Sequence, residues 1–275
     1  MNISAKTKLC LIIGDPVDHS LSPAMHNAAY CHLGIDDRFF YLGSNVKVED
    51  VGKVVKAMKI MENFHALTCT IPHKIEVMKY LDWIDPTAKK IGAVNSIVKE
   101  NGILKGFNTD WLGAVTPLEK ITKLNNKKVS LIGSGGAARA IIFGLKKRKA
   151  KVTIFNRSIE KAKALAKEFD CQFSGLDNQD SIGESDIIVN ATSVGMEPTK
   201  EETPIDVKNI NAKQIVFDVV YVPRETKLLQ EAKKRGAKII SGLEMLLHQG
   251  VAQFELYTGI KAPIEVMRKE LYEKN

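Results

Sequence analysis

The sequence predicts an α/β protein of two domains: an N-terminal mainly parallel α/β unit, then a doubly wound unit, with C-terminal helices returning to the first. Three observations predict it. Strand and helix patterns alternate from residue 8 to about 71 and again from residue 127. Between these stretches lie two β runs around Asn101-Gly102, a hairpin signal. After residue 242 two helical patterns follow with no strand between them. A chain of 275 residues is long enough for two domains of ordinary size, each burying its own core.

Taken in order, "KLCLIIG" reads as a buried strand and "SPAMHNAAYCHLG" as a helix with Ser22 as cap, Pro23 in the first turn and Gly34 as stop. "DRFFYLG" as strand, "VEDVGKVVKAMKIMEN" as helix and "FHALTCTIP" as strand complete βαβαβ, hence a mainly parallel sheet. The hairpin "AVNSIVKENGILKGFN" is expected at an edge of that sheet. The second alternation runs "KKVSLIG", a helix at 136–148, "KVTIFN", the helix "SIEKAKALAKEF", then "DIIVNAT", "QIVFDVVY", the helix "ETKLLQEAKKRGA" and "KIIS". The last helices, "GLEMLLHQGVAQFELYTG" and "PIEVMRKELYEK", are expected to pack on the first domain. The expected division is 1–110 plus 243–275 for the first domain and 111–242 for the second.

Composition narrows the function. Apolar residues at 44% and charged ones at 26% exclude extensive disorder. The apolar run "LCLII" is too short for a signal-peptide core or a membrane span, so a cytoplasmic protein with no membrane partner is expected. Cys10, Cys31, Cys69 and Cys171 form no CxxC pair and read as buried small hydrophobes rather than a zinc or disulfide framework. The net charge of +8 is spread over lysine-rich helix faces without interleaved aromatics, which favours anionic small ligands over nucleic acid. His19, His26 and His32 have no acidic or cysteine partner at a metal spacing, so no metal is expected.

"SLIGSGGAARAIIFG", residues 130–144, carries a strand into a glycine turn and then a helix, the pattern that cradles a dinucleotide pyrophosphate in a Rossmann unit. Gly133, Gly135 and Ala138 fit GxGxxA. The end of the next strand selects the nucleotide. Asp or Glu there accepts hydrogen bonds from a ribose 2'-hydroxyl, but "TIFNRS" supplies Asn156, Arg157 and Ser158. Arg157 offers a cationic fork and Ser158 a hydroxyl, both suited to a 2'-phosphate, so NADP is expected.

In the first domain, "DHSLSPAMHN", "TCTIPHK" and "GAVNSIVKENGILKGFNTD" each have a bland reading: Ser20 and Ser22 as caps, Lys74 as a solvated lysine, Asp110 as cap of the helix beginning at Trp111. Together, however, "SLSP", "TIPHK", "GAVN", "NTD", "GSGGAAR", "NRS", "NATSVGM", "DVVY" and "GLEMLLHQG" resemble the shikimate dehydrogenase family in order along essentially the whole chain. The resemblance implies reversible, NADPH-dependent reduction of 3-dehydroshikimate to shikimate. It implies Lys74 and Asp110 as the catalytic pair and Ser20 and Ser22 as carboxylate binders. It places Thr70, Asn95 and Gln249 on ring hydroxyls and Tyr221 near the carboxylate. On the nucleotide side it implies Gly133, Ser134, Gly135, Gly136 and Ala137 at the pyrophosphate, Asn156, Arg157, Ser158 and Lys161 around the 2'-phosphate, and Val219 and Gly242 at the nicotinamide. A homodimer is compatible with this reading. Acting as a base near neutrality, Lys74 needs partial burial.

Three positions depart from the family pattern. Thr68-Cys69 replaces Asn-Val and is expected to loosen the lysine loop, Trp111 replaces a glycine and is expected to reshape the hinge, and Glu244 replaces a glycine. A quinate/shikimate dehydrogenase using NAD is the nearest rival, and "NRS" speaks against NAD. A tetrahydrofolate dehydrogenase gives no reason for "SLSP" and "NTD" together. A catalytically silent nucleotide sensor gives no reason to keep both Lys74 and Asp110.

Overall fold

Residues 3–274 are described by the computed structural model. The chain divides into two units, one running to Thr109 and resuming over Gln249–Lys274, the other covering Asp110–His248.

In the first unit, strand β1 (Lys8–Gly14), helix α1 (Ser22–His32), β2 (Phe39–Asn45), α2 (Val51–Ile60) and β3 (Phe64–Cys69) realise the predicted βαβαβ, with β1 parallel to both β2 and β3. Helix α1 begins at Ser22 itself. Met25 N–H already donates to the Leu21 carbonyl, so Leu21 takes the cap position that the sequence assigned to Ser22. The chain continues through α3 (His73–Glu76), β4 (Trp83–Ile84), α4 (Pro86–Ile91), β5 (Ser96–Glu100) and β6 (Ile103–Phe107). The hairpin turns through Asn101 and Gly102, both at positive φ. It is not an edge, because the sheet order is β2-β1-β3-β5-β6-β4. The two-residue β4 adds in parallel outside β6, and Gly106 leaves room for the side chain of Leu81 just before it, whose Cδ1 would lie 2.4 Å from a Cβ there.

In the second unit, α5 (Asp110–Glu119) leads to β7 (Lys128–Ile132), α6 (Gly136–Lys147), β8 (Lys151–Asn156), α7 (Ile159–Phe169), β9 (Gln172–Gly175), β10 (Ile187–Asn190), β11 (Ile215–Asp218), α8 (Lys227–Lys234) and β12 (Lys238–Ile240). All pairings are parallel, in the order β12-β11-β10-β7-β8-β9. Successive strands run outward from β7 in one direction, then from β10 in the other. This is the doubly wound dinucleotide order, with its switch point between β7 and β10. Val115, Ile141, Leu145 and Leu165 cover one face of the sheet, and Ile182, Ile210, Leu228 and Leu229 the other.

The chain returns to the first unit along α9 (Gly242–Thr258) and α10 (Ile264–Glu273), and α10 packs on α1. Beneath them lies an aromatic layer in which His26 stacks on Tyr41 at 4.4 Å and Tyr30 meets Phe254 at 5.4 Å. The opposite face of the sheet is mostly aliphatic, with Val51, Val55 and Met58 of α2 packed with Ile13, Leu67 and Ile97 and a single phenylalanine, Phe64. Cys10 and Cys69 are buried as expected, and burial pushes both thiols up to about 12. Cys31 is exposed on the last turn of α1 and Cys171 is half-buried, contrary to the expectation for those two. Among the described residues no helix is long and apolar enough to cross a membrane.

Candidate functional site

In the second unit the glycine turn leaves β7 at Ile132. Gly133 has φ +115°, and a Cβ on it would lie 2.9 Å from the Ala191 carbonyl oxygen, so only glycine fits. A Cβ on Gly135 would meet nothing within 4 Å, which leaves the backbone after Ser134 open to a ligand. Gly136 and Ala137 open α6, an amphipathic helix whose first amides have no acceptor within the helix and form its positive end.

At the end of β8, Asn156 Nδ2 donates to the Ser158 carbonyl at 2.9 Å and so fixes the bend. Arg157 is exposed on that bend, Ser158 takes the cap position of α7, and Lys161 is exposed in its first turn. Among the described residues neither Arg157 nor Lys161 forms an ion pair. Helix amides beside a guanidinium, an ammonium and a hydroxyl, with no carboxylate among residues 156–158 and Glu160 exposed in the first turn of α7, are a donor set that fits a dinucleotide bearing an extra phosphate.

Beyond β10 and β11, two residues that carried no role in the sequence reading organise the loops. Asp218 Oδ1 accepts from Asn190 Nδ2 at 2.9 Å and from Val220 N–H at 3.0 Å, and its Oδ2 accepts from Thr226 Oγ1 at 2.6 Å. Asn190 Oδ1 in turn accepts from Thr192 N–H and Oγ1, at 3.0 and 2.7 Å. Burial raises the Asp218 carboxyl to about 6 against these hydrogen bonds. The signal was a polar residue closing each apolar strand, "IIVN" and "IVFD". Together they fix half-buried Val219 and, two residues on, half-buried Tyr221. Gly242 starts α9 under the same loop, where a Cβ would lie 2.4 Å from the Val219 carbonyl oxygen.

In the first unit the candidates gather at the carboxyl ends of β1 and β3, where open α/β sheets place ligands. Ser20 Oγ accepts from Ser22 N–H at 3.3 Å, and Ser22 is buried at the start of α1. Asp15 N–H donates to the Ile71 carbonyl and Thr70 N–H to that of Ile13, which ties the serine loop to the loop after β3. Lys74, second residue of α3, is half-buried, and its carbonyl accepts from Val94 N–H at 2.8 Å. Asn95 is buried immediately before β5, and Cys69 N–H donates to its carbonyl at 2.9 Å. The Asn95 side chain accepts from Thr109 N–H at 2.8 Å and donates to Thr109 Oγ1 at 3.0 Å. Gln249 is buried on α9. Asp110, directly after Thr109, is buried as the first residue of α5 in the second unit.

Two of the departures have contacts of their own. Thr68 does not loosen the lysine loop: its hydroxyl is buried in β3, accepts from Tyr41 OH at 2.6 Å and bonds Tyr257 OH at 2.8 Å. Trp111 packs edge-on to Phe143 at 5.8 Å, with Lys147 Nζ 4.8 Å from its ring centroid. Of the clustered histidines, His19 and His32 are exposed and His26 lies in the aromatic layer.

A doubly wound nucleotide unit, together with an α/β unit whose strand ends collect hydroxyls, an amide and a lysine, defines a dinucleotide-dependent oxidoreductase of small polar substrates. Family models match the chain in three consecutive stretches. The shikimate dehydrogenase substrate binding domain matches residues 12–97, shikimate / quinate 5-dehydrogenase residues 117–236, and the shikimate 5'-dehydrogenase C-terminal domain residues 242–272. A shikimate dehydrogenase (NADP(+)) of Methanococcus maripaludis is 47% identical over 282 residues, covering 99% of this chain and 99% of its own. A crystal structure of shikimate dehydrogenase in complex with NADP+ superposes with a TM-score of 0.93 at 43% identity, covering 99% of this chain and 97% of that one. The shikimate 5-dehydrogenase of Thermus thermophilus, in complex with NADP(H) and shikimate, gives 0.90 at 33% identity, covering 98% and 100%. The chain belongs to the shikimate dehydrogenase family.

Proposed function

We infer that this chain is an NADP-dependent shikimate dehydrogenase, which reversibly reduces 3-dehydroshikimate to shikimate on the route to chorismate and the aromatic amino acids. The observation that carries the reading is Lys74, half-buried in the turn after β3 on the same sheet edge as Ser20, Ser22, Thr70 and Asn95. The first unit is the substrate domain and the second the nucleotide domain. Four unpaired cysteines suit a reducing compartment, the cytoplasm.

Reducing a ketone takes a hydride to carbon and a proton to oxygen. NADPH, when bound, supplies the hydride. Lys74 Nζ gives the proton to the carbonyl oxygen, and takes it back in the reverse direction. Asp110 orients the Lys74 ammonium and the substrate oxygen toward each other. The Ser20 and Ser22 hydroxyls, at the positive end of α1, hold the substrate carboxylate with Tyr221. Thr70, Asn95 and Gln249 hold the ring hydroxyls and so fix which face of the ring is presented. Gly133, Ser134, Gly135, Gly136 and Ala137 take the pyrophosphate, while Asn156, Arg157, Ser158 and Lys161 take the 2'-phosphate. Val219 and Gly242 line the nicotinamide.

The test is a spectrophotometric assay with shikimate or quinate and NADP or NAD, on the wild type and on Lys74→Ala. Turnover is expected with shikimate and NADP. The variant should lose about 10²–10⁴-fold in kcat, the range for a positioned acid or base, with little change in the KM for shikimate. A fully active variant would sink the mechanism, and a preference for quinate with NAD would sink the substrate assignment.

A further inference from the structure

Gln253 lies one helical turn beyond Gln249 on α9 and is fully buried, although its amide carries both donor and acceptor groups. Its Nε2 donates to Ser96 Oγ at 3.0 Å, and Ser96 Oγ, also fully buried, donates to Asn95 Oδ1 at 2.8 Å. A hydroxyl has one proton to give. With Gln253 occupying one of its lone pairs, the Ser96 proton is aimed at Asn95. That bond and the one from Thr109 N–H settle which end of the Asn95 amide is the oxygen, leaving Nδ2 as the donating end toward Thr109 Oγ1.

The other end of the Gln253 amide faces α1. Among the described residues Gln253 Oε1 has no hydrogen-bond partner, and neither has either ring nitrogen of His26, the imidazole on which the Gln253 side chain acts. His26 is fully buried one turn beyond Ser22. Gln253 thus stands where the three elements bearing Ser22, Asn95 and Gln249 meet.

We propose that Gln253 is a positioning residue: through Ser96 it fixes the amide of Asn95, and through its place on α9 it fixes the height of Gln249 over β5. The proposal rests on the reading of Asn95 and Gln249 as ligands of the ring hydroxyls.

The experiment is steady-state kinetics on Gln253→Met, Ser96→Ala and the double variant, with Tm measured on each. Each single variant should raise the KM for shikimate about tenfold, the scale of one neutral hydrogen bond, and leave the KM for NADP unmoved. The double variant should be no worse than the worse single, because both substitutions cut one chain of bonds. Effects that multiply, or a KM for NADP that rises equally, would reduce Gln253 to a packing residue. If Gln253→Met does not fold, Ser96→Ala decides alone, and an unmoved shikimate KM overturns the proposal. A wild type inactive on shikimate with NADP would instead strike the underlying reading.

Discussion

Arg157 is exposed on the bend after β8, and among the described residues it forms no ion pair. A solvated guanidinium contributes little to folding, so its effect is to be sought on an anion brought to it. A hydrogen bond to a charged group is worth about 1.5–3 kcal/mol, or about ten- to a hundredfold in affinity. Arg157→Ala is therefore expected to raise the KM for NADP by that factor, leave the KM for NAD unchanged and leave Tm within about a degree. An equal rise for both coenzymes would place Arg157 away from the 2'-phosphate. Asn156 has a second part besides, because its side chain bonds the Ser158 carbonyl and so shapes the bend that carries Arg157.

Between elements the joints are glycines, needed for different reasons. At the start of α9 a Cβ on Gly242 would lie 2.4 and 2.6 Å from the carbonyl oxygens of Val219 and Val220, backbone atoms that cannot rotate away. Gly135, before α6, has an ordinary φ of −84° and open space where a Cβ would go. Gly242→Ala should cost about 1–3 kcal/mol of overpacking, seen as a fall in Tm, along with weaker NADP binding. Gly135→Ala should leave Tm in place and weaken NADP binding alone. A Gly135→Ala enzyme with wild-type affinity would show that the cofactor does not approach the turn there. Legibility followed the same division between local and distant causes. Strand β8 is "KVTIFN" to the residue, because an apolar run bounded by loop residues states its own limits. The edge strand β9, with Gln172 and Phe173 exposed, offers no such run, and two-residue β4 has no period to read. The hairpin's interior place depends on β4 arriving from elsewhere in the chain, which no local pattern records. The glycine turn and the acid-free end of β8 were legible from their residues, and Lys74 and Asp110 only through the resemblance. Gln253 was not legible, since a glutamine inside a helical run looks solvated until Ser96 is brought beside it.

Over the whole molecule, two buried titratable groups oppose each other in the pH dependence of folding. Burial lowers His26 from 6.5 to about 3, so the unfolded chain binds a proton that the native state refuses. Its contribution is present above pH 6.5 and lost as the pH falls toward about 3. Asp218 is raised from 3.8 to about 6, so its contribution is present below pH 3.8 and lost as the pH rises through about 6. At about 1.4 kcal/mol per pH unit, the first amounts to about 5 kcal/mol and the second to about 3. Between pH 6 and 3.8 the two slopes nearly cancel, so the wild type should lose stability on acidification chiefly between pH 6.5 and 6 and again below 3.8, about 2 kcal/mol in all. Carboxylates held low by surface partners, such as Glu76 beside Lys79 and Asp206 beside Lys208, act in the same direction, but their exposure leaves them a minor part. His26→Phe keeps a ring to stack on Tyr41 and removes the titration. Urea midpoints of wild type and variant at pH 4, 5, 6 and 7 should then diverge steadily as the pH falls, the variant being the more stable in acid. A gap that stays constant across the series would mean that His26 takes up its proton in the folded state as readily as in the unfolded one, and that the aromatic layer admits water to its ring.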